Sequence, residues 1–181
     1  MQAEETPLKD CFLIKPSVFT DKRGIFLESY HRKRFAEVTG IEDEFVQDNQ
    51  SVSKFGVLRG LHYQTGEFAQ AKLVRVIHGK VLDVVVDLRP DSKTFQKTYK
   101  VVLDDHNLHQ LYIPKGFGHG FLTLSETSVF AYKCDKYYTP GAESGIIYND
   151  PTLNIQWDFP EEKMIISDKD MQQPTFKTLF K

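Results

Sequence analysis

The chain has 181 residues, 40% of them hydrophobic and 13% aromatic, enough apolar side chain to bury one sizeable core. A net charge of −2 and a pI near 6.3 argue against a general nucleic-acid binder, which needs a basic surface to displace phosphate counterions. Cys11 and Cys134 lie far apart without C-x-x-C spacing, which argues against a zinc site or a disulfide framework, and no stretch approaches the ~18 apolar residues of a membrane span.

Ten short segments rich in β-branched and aromatic residues lie between turn signals and are expected as strands. In chain order they are Phe12–Lys15, Ile25–Tyr30, Phe45–Val52, Val57–Tyr63, Ala71–Ile77, Val81–Leu88, Thr98–Leu103, Gln110–Ile113, His119–Leu124 and Ser128–Lys136. One helix is expected at His31–Val38, where Phe35 and Val38 lie three apart among charged residues and Gly40 supplies a stop. No repeat, low-complexity tract or linker divides the chain, so residues 1–181 are expected to form one all-β sandwich or barrel, with the tail after Trp157 packed back over it. The opening MQAEETPLKD is acidic and polar, without the apolar core of a signal peptide, so a soluble, cytoplasmic protein is expected.

Two of these strands each carry one histidine. Val57-Leu-Arg-Gly-Leu-His-Tyr-Gln64 ends an apolar run with His62, and Ile113-Pro-Lys-Gly-Phe-Gly-His-Gly120 delivers His119. Neither has a second metal-type ligand near it, so the pattern suggests a histidine-lined pocket without a metal. An imidazole titrating near neutral pH suits proton transfer, and an acid–base enzyme is expected.

If His78-Gly79 is a two-residue turn, Val74 faces Asp83 and Lys72 faces Val85, placing Lys72 and Asp83 on one face as diagonal neighbours. The other face then carries Leu73, Leu82, Val84, Val86 and Leu88, interrupted only by Arg75. A charged pair among valines costs stability unless it is used; from spacing alone, an ordinary rim salt bridge fits equally well.

The two histidine segments resemble the cupin motifs, a glycine before a histidine and then P-x-G-x-x-H in Pro114–His119. Metal-binding cupins usually place a second histidine two residues after the first, and that position is Gln64 here. More closely, VLRGLHYQ, QAKLVRVIHGKVLDVVVDLR, IPKGFGHGF, YKCDKYY and YNDP, in that order, resemble the dTDP-4-dehydrorhamnose 3,5-epimerase family from about Phe19 to about Pro174. The resemblance implies a cupin-type jelly-roll β-barrel and a cofactor-independent epimerase of nucleotide-linked 4-keto-6-deoxyhexoses.

What it implies for the residues is specific. His62 is the base, oriented by Asp170; Lys72 stabilises the developing oxyanion; Tyr132 is the acid across the ring. Each has an alternative in the sequence: His62 as a satisfied core residue, Lys72 as a surface lysine, Tyr132 as strand packing, Asp170 as part of a capping box begun by Ser167. For binding, the resemblance implies Arg59 on the diphosphate with Gln47 and Asn49 beside it, and Tyr138 stacked on the base. His119 and Phe121 share a strand face, with Phe121 beneath the sugar and Asp83 paired to Lys72 or His119. Arg23, Phe26 and Glu28 of the DKRGIFLESY arm, within residues 1–30, are implied to come from or sit beside a partner subunit in a homodimer; alone, they read as a turn arginine and an edge strand.

Strict alternation puts Arg59 and His62 on opposite faces, yet both roles require the pocket. A bulge at Gly60 would turn both inward.

Overall fold

Central strands with apolar residues at successive positions must be covered on both faces, and Val81–Val86 is such a run, interrupted only by Asp83. The computed structural model, which describes residues 1–180, covers them in two packed sheets. The strands are β1 Gln2–Glu5, β2 Phe12–Lys15, β3 Val18–Asp21, β4 Gly24–Leu27, β5 Gln47–Lys54, β6 Val57–Gln64, β7 Lys72–His78, β8 Lys80–Asp87, β9 Thr98–Asp104, β10 Gln110–Ile113, β11 Phe117–Thr123, β12 Thr127–Cys134, β13 Glu143–Gly145 and β14 Ile165–Ile166. Three short α-helices, α1 Arg32–Thr39, α2 Asp168–Met171 and α3 Phe176–Leu179, accompany the strands, with single 3-10 turns at Gly66–Phe68, Pro140–Ala142 and Glu161–Lys163.

The first sheet runs β1-β2-β10-β7-β12-β5 and the second β13-β6-β11-β8-β9, with β14 alongside β6. This is the jelly-roll arrangement of the cupin fold. Val74, Val76, Val81, Val85, Leu111 and Phe130 fill the space between the sheets. Outside the first sheet, Leu73 and Tyr112 pack with Phe35 of α1. Outside the second, Leu82, Val84 and Val86 are covered by Trp157, Phe176 and neighbouring tail residues, so the tail closes a face the strands could not leave in water.

The expected helix is present one residue along. His31 is its N-cap, its Nδ1 accepting from the Arg34 N–H at 3.4 Å, and Gly40 ends it with φ +72°, a left-handed C-cap that glycine adopts without strain.

The proposed hairpin across His78-Gly79 is absent. β7 pairs with β10 and β12, whereas β8 pairs with β11 and β9. The turn at Gly79 (φ +81°) therefore carries the chain from one sheet to the other. A Cβ there would lie 2.2 Å from the Thr127 carbonyl oxygen, which only glycine avoids. The apolar positions read as one layer consequently lie on two outer surfaces, Leu73 outside the first sheet and Leu82, Val84 and Val86 outside the second. Lys72 and Asp83 do not neighbour each other across a ladder, but approach the interior from opposing sheets.

Four strands went unpredicted: β1, β3, β13 and β14. β1 is polar, β13 contains Glu143 and Gly145, and β14 is two residues long. β3 pairs only with β4, in a hairpin apart from both sheets.

Candidate active site

Between the sheets, at one end of the interior, lies a cavity of about 330 Å³. Arg59 and His62 of β6 and His119 and Phe121 of β11 line it from the second sheet; Lys72 of β7 and Tyr132 of β12 line it from the first. Asp170, with Ser167 and Lys169, closes the tail side.

Arg59 and His62 both reach the cavity because β6 is irregular between them. Against β11, His62 stands opposite His119 but Arg59 stands opposite Phe121, so β6 spends one extra residue there. Gly60, at φ +123°, is part of that bulge. A Cβ at Gly60 would lie 2.5 Å from Gly120 Cα and 2.7 Å from the His119 carbonyl oxygen, so the two strands approach too closely for any other residue.

His62 Nε2 lies 2.6 Å from Asp170 Oδ1. Asp170 is buried, 4% exposed. Burial alone pushes its carboxyl up, but the bond and charge of His62, the Gly60 N–H and Ser167 outweigh that and hold it below its ordinary value of 3.8. An ionised Asp170 requires Nε2 to carry the proton and donate, which makes Nδ1 the basic nitrogen. The Ser167 hydroxyl accepts from the Asp170 N–H at 3.2 Å, so the cap and the imidazole contact coexist on one residue.

Across the cavity, Lys72 Nζ lies 5.8 Å from the centre of the Tyr132 ring. Burial lowers the Lys72 pKa from 10.5, with Cys134, Asp83 and Glu143 opposing. Burial also raises the Tyr132 phenol above 10.0, so it holds its proton at neutral pH. Asp83, fully buried, places Oδ2 2.9 Å from His119 Nε2. Its partner is thus His119; Asp83 Oδ1 has no hydrogen-bond partner among the described residues. Phe121 stacks on Phe130 at 4.2 Å between ring centres and forms an apolar floor.

The other expected binding residues are distributed less simply. Arg59 Nε donates to Ser53 Oγ at 3.1 Å. Gln47 and Asn49 of β5 bond to each other, and Gln47 Oε1 accepts from the Tyr138 N–H, so they brace the rim, while Gln50 and Ser51 supply the cavity wall from β5. Tyr138 is 48% exposed and its hydroxyl donates to Glu143 Oε2 at 2.6 Å. Glu143 also pairs with Lys169 at 2.8 Å.

Arg23, Phe26 and Glu28 lie outside the cavity of their own chain. Arg23 pairs with Asp21 on the β3–β4 hairpin, Glu28 pairs with Arg34, and Phe26 is 70% exposed opposite Phe19. Sequence reasoning did not single out Gln50, Ser51, Phe130, Glu143 or Lys169, and read Ser167 only as a cap. Ser51 shares a strand face with Gln47 and Asn49 and was within reach of the alternation argument; Lys169 adjoins Asp170. Glu143 carried no signal, since it reaches the rim only through the pairing of β13 with β6. Among the described residues, no three His, Cys, Asp or Glu side chains converge as ligands for a metal ion, and no helix is long and apolar enough to cross a membrane.

A family model described as dTDP-4-dehydrorhamnose 3,5-epimerase matches residues 5–178. The chain belongs to that family. It is 46% identical over 182 residues to the dTDP-4-dehydrorhamnose 3,5-epimerase of Escherichia coli, covering 100% of this chain and 97% of the relative. The crystal structure of the epimerase of that name from Elizabethkingia anophelis superposes with a TM-score of 0.95 at 53% identity, covering 98% of this chain and 97% of the other. The dTDP-6-deoxy-D-glucose-3,5-epimerase of Legionella pneumophila, solved in complex with dTDP-4-keto-L-rhamnose, superposes with a TM-score of 0.93 at 45% identity, covering 97% and 93%. Members of that family are isomerases.

Proposed function

We propose that this chain inverts C3 and C5 of dTDP-4-dehydro-6-deoxy-glucose to give dTDP-4-dehydro-L-rhamnose, by proton transfer through an enolate. The observation that carries the reading is the opposition of an imidazole and a phenol across one cavity. His62, backed by a buried carboxylate, enters from one sheet; Tyr132, held protonated by burial, enters from the other. Inverting a carbon requires a base on one side of the ring and an acid on the other. A carbon beside a ketone is acidic enough for this once the enolate oxygen is stabilised, so the chemistry calls for no cofactor.

Each residue has a task suited to it. His62 removes the proton through its basic nitrogen, and Asp170 stabilises the imidazolium that results. Lys72, the ammonium beside Tyr132, meets the oxyanion on the ketone oxygen. Tyr132 returns a proton to the opposite face. His119, held by Asp83, contacts the sugar above the Phe121 floor, Arg59 binds the diphosphate as a planar fork, and Tyr138 stacks on the base with Gln47 and Asn49 steadying the rim.

A homodimer completes the proposal. Phe19, Ile25 and Phe26 of the β3–β4 hairpin are 63%, 55% and 70% exposed, an apolar surface that a second copy would cover, bringing Arg23, Phe26 and Glu28 near the partner's cavity. Light scattering on the purified protein should give twice the chain mass.

The function is tested by incubating the enzyme with dTDP-4-keto-6-deoxyglucose in heavy water and following deuterium at C3 and C5 by NMR, with His62→Ala as control. Deuterium at both carbons, lost in the control, is expected. Deuterium at one carbon selects a mono-epimerase on the same scaffold; none at either refutes the assignment.

A further inference from the structure

The YNDP motif, Tyr148–Pro151, does not line the cavity, yet it holds a buried carboxylate with no cation paired to it among the described residues. Asp150 is 1% exposed. Its Oδ1 accepts from the Thr152 and Leu153 N–H groups, both at 2.9 Å, and its Oδ2 accepts from the Phe176 N–H at 2.7 Å. Three backbone donors from two separate segments thus satisfy one carboxylate, and one of those segments is the tail that carries Asp170.

The tail is fastened on both sides of Asp170. Before it, Ile165–Ile166 pairs with Val57–Leu58 of β6. After it, the Ile147 N–H donates to the Pro174 carbonyl at 3.0 Å and Phe176 is bound by Asp150. The segment that provides this second fastening is itself laid against β6, where Gly145 stands opposite His62 and Ile146 exchanges hydrogen bonds with Leu61. Gly145 also leaves room for the tail: a Cβ there would lie 2.6 Å from the Gln173 side chain. His62 and Asp170 are therefore referenced to one another through residues 145–153.

We propose that Asp150 is a positioning residue for the His62–Asp170 pair, fixing the distance between imidazole and carboxylate by tying the tail to the strand that carries the base. The proposal rests on the catalytic reading of that pair given above. Asparagine is the informative replacement, because its amide has only one acceptor atom. Either orientation of that amide turns an N–H toward a backbone N–H, so one of the two segments must be released.

The test compares wild type, Asp150→Asn, Asp170→Asn and the double variant in kcat, KM and thermal midpoint, at a temperature where all are folded. Asp150→Asn should lower kcat roughly tenfold with KM within about twofold, because a small misplacement of a catalytic group is felt in the chemical step. In the Asp170→Asn background the same change should lower kcat by less than about twofold, since the carboxylate it positions is already gone. An equal fold-loss in both backgrounds makes Asp150 merely structural and overturns the proposal, as does an unchanged kcat in the single variant. Full activity of Asp170→Asn would instead refute the catalytic reading beneath it. If Asp150→Asn does not fold, Gln173→Ala, which removes the tail side chain packed against Gly145 and leaves Asp150 intact, is put through the same cycle, with a smaller kcat loss that again vanishes in the Asp170→Asn background; persistence of the loss there overturns the proposal.

Discussion

Replacing Asp170 by asparagine keeps the shape of the tail and removes one charge. The consequence follows from the 2.6 Å contact with His62 Nε2 and from where the two groups sit, the carboxylate side chain 5% exposed and the imidazole 31%. On the proposed mechanism His62 becomes a cation against this carboxylate as it takes the sugar's proton. Two unit charges 4 Å apart attract by about 4 kcal/mol at an effective dielectric of 20, a value fitting a pair with one partner at the cavity wall. Allowing for the hydrogen bond that an amide oxygen still accepts, about 3–4 kcal/mol of transition-state stabilisation is lost, and kcat should fall by roughly two to three orders of magnitude. KM should hardly move, because the charge pair is called on only as the proton is transferred. Turnover by product NMR and deuterium entry at C3 and C5 should decline together, since proton removal precedes both. A kcat within threefold of wild type would refute the assignment of Asp170 as the group that stabilises the imidazolium.

Tyr132→Phe should separate two events: deuterium still enters at the ring carbon while inversion falls by about two orders of magnitude, read as labelled starting sugar in the NMR spectrum. In the pH profile of kcat/KM, the alkaline limb should lie below 10.5 and belong to Lys72, because burial lowers that ammonium whereas it raises the Tyr132 phenol above 10.0; Lys72→Arg should abolish that limb at a large cost in rate. Gly60→Ala should destabilise by at least about 3 kcal/mol in urea unfolding, since φ +123° and a Cβ 2.5 Å from Gly120 Cα leave no relaxed state. Asp170 has a folded-state pKa below its ordinary 3.8, so its contribution to stability is present above pH 3.8 and is lost as pH falls through the lower folded value; chemical denaturation of Asp170→Asn should show a flatter decline than wild type in that window.

Most strands were legible because two sheets with covered faces leave long β-branched runs between turn residues, and Gln110–Ile113 matches residue for residue. The failure at His78-Gly79 has a definite cause. A glycine with positive φ closes a tight hairpin and a crossing between sheets equally well, and with both faces buried, alternation cannot say which surface a residue covers. Only the partners of β7 and β8 decide it, and these lie far away in sequence. The irregularity at Gly60 was legible for the opposite reason: two side chains of one pocket stood an odd number of residues apart, which a regular strand cannot accommodate. Glu143 was hidden because its place depends on a three-residue strand with no periodicity of its own.

The crossing at Gly79 also explains how a barrel interior tolerates its charges. Were β7 and β8 a hairpin, Lys72 and Asp83 would form a local pair, and nothing would be left for a ligand. On opposing sheets they are kept apart: Asp83 is held by His119, while Lys72 is left against the Tyr132 ring, half-buried and without a carboxylate bonded to it among the described residues. An ammonium so placed is partly desolvated and short of an anion, which costs stability; on the proposed mechanism, negative charge developing on the ketone oxygen relieves it. On the proposed mechanism the enolate, and not the ketone, meets the charge of Lys72, which is the condition for lowering a barrier instead of merely tightening binding.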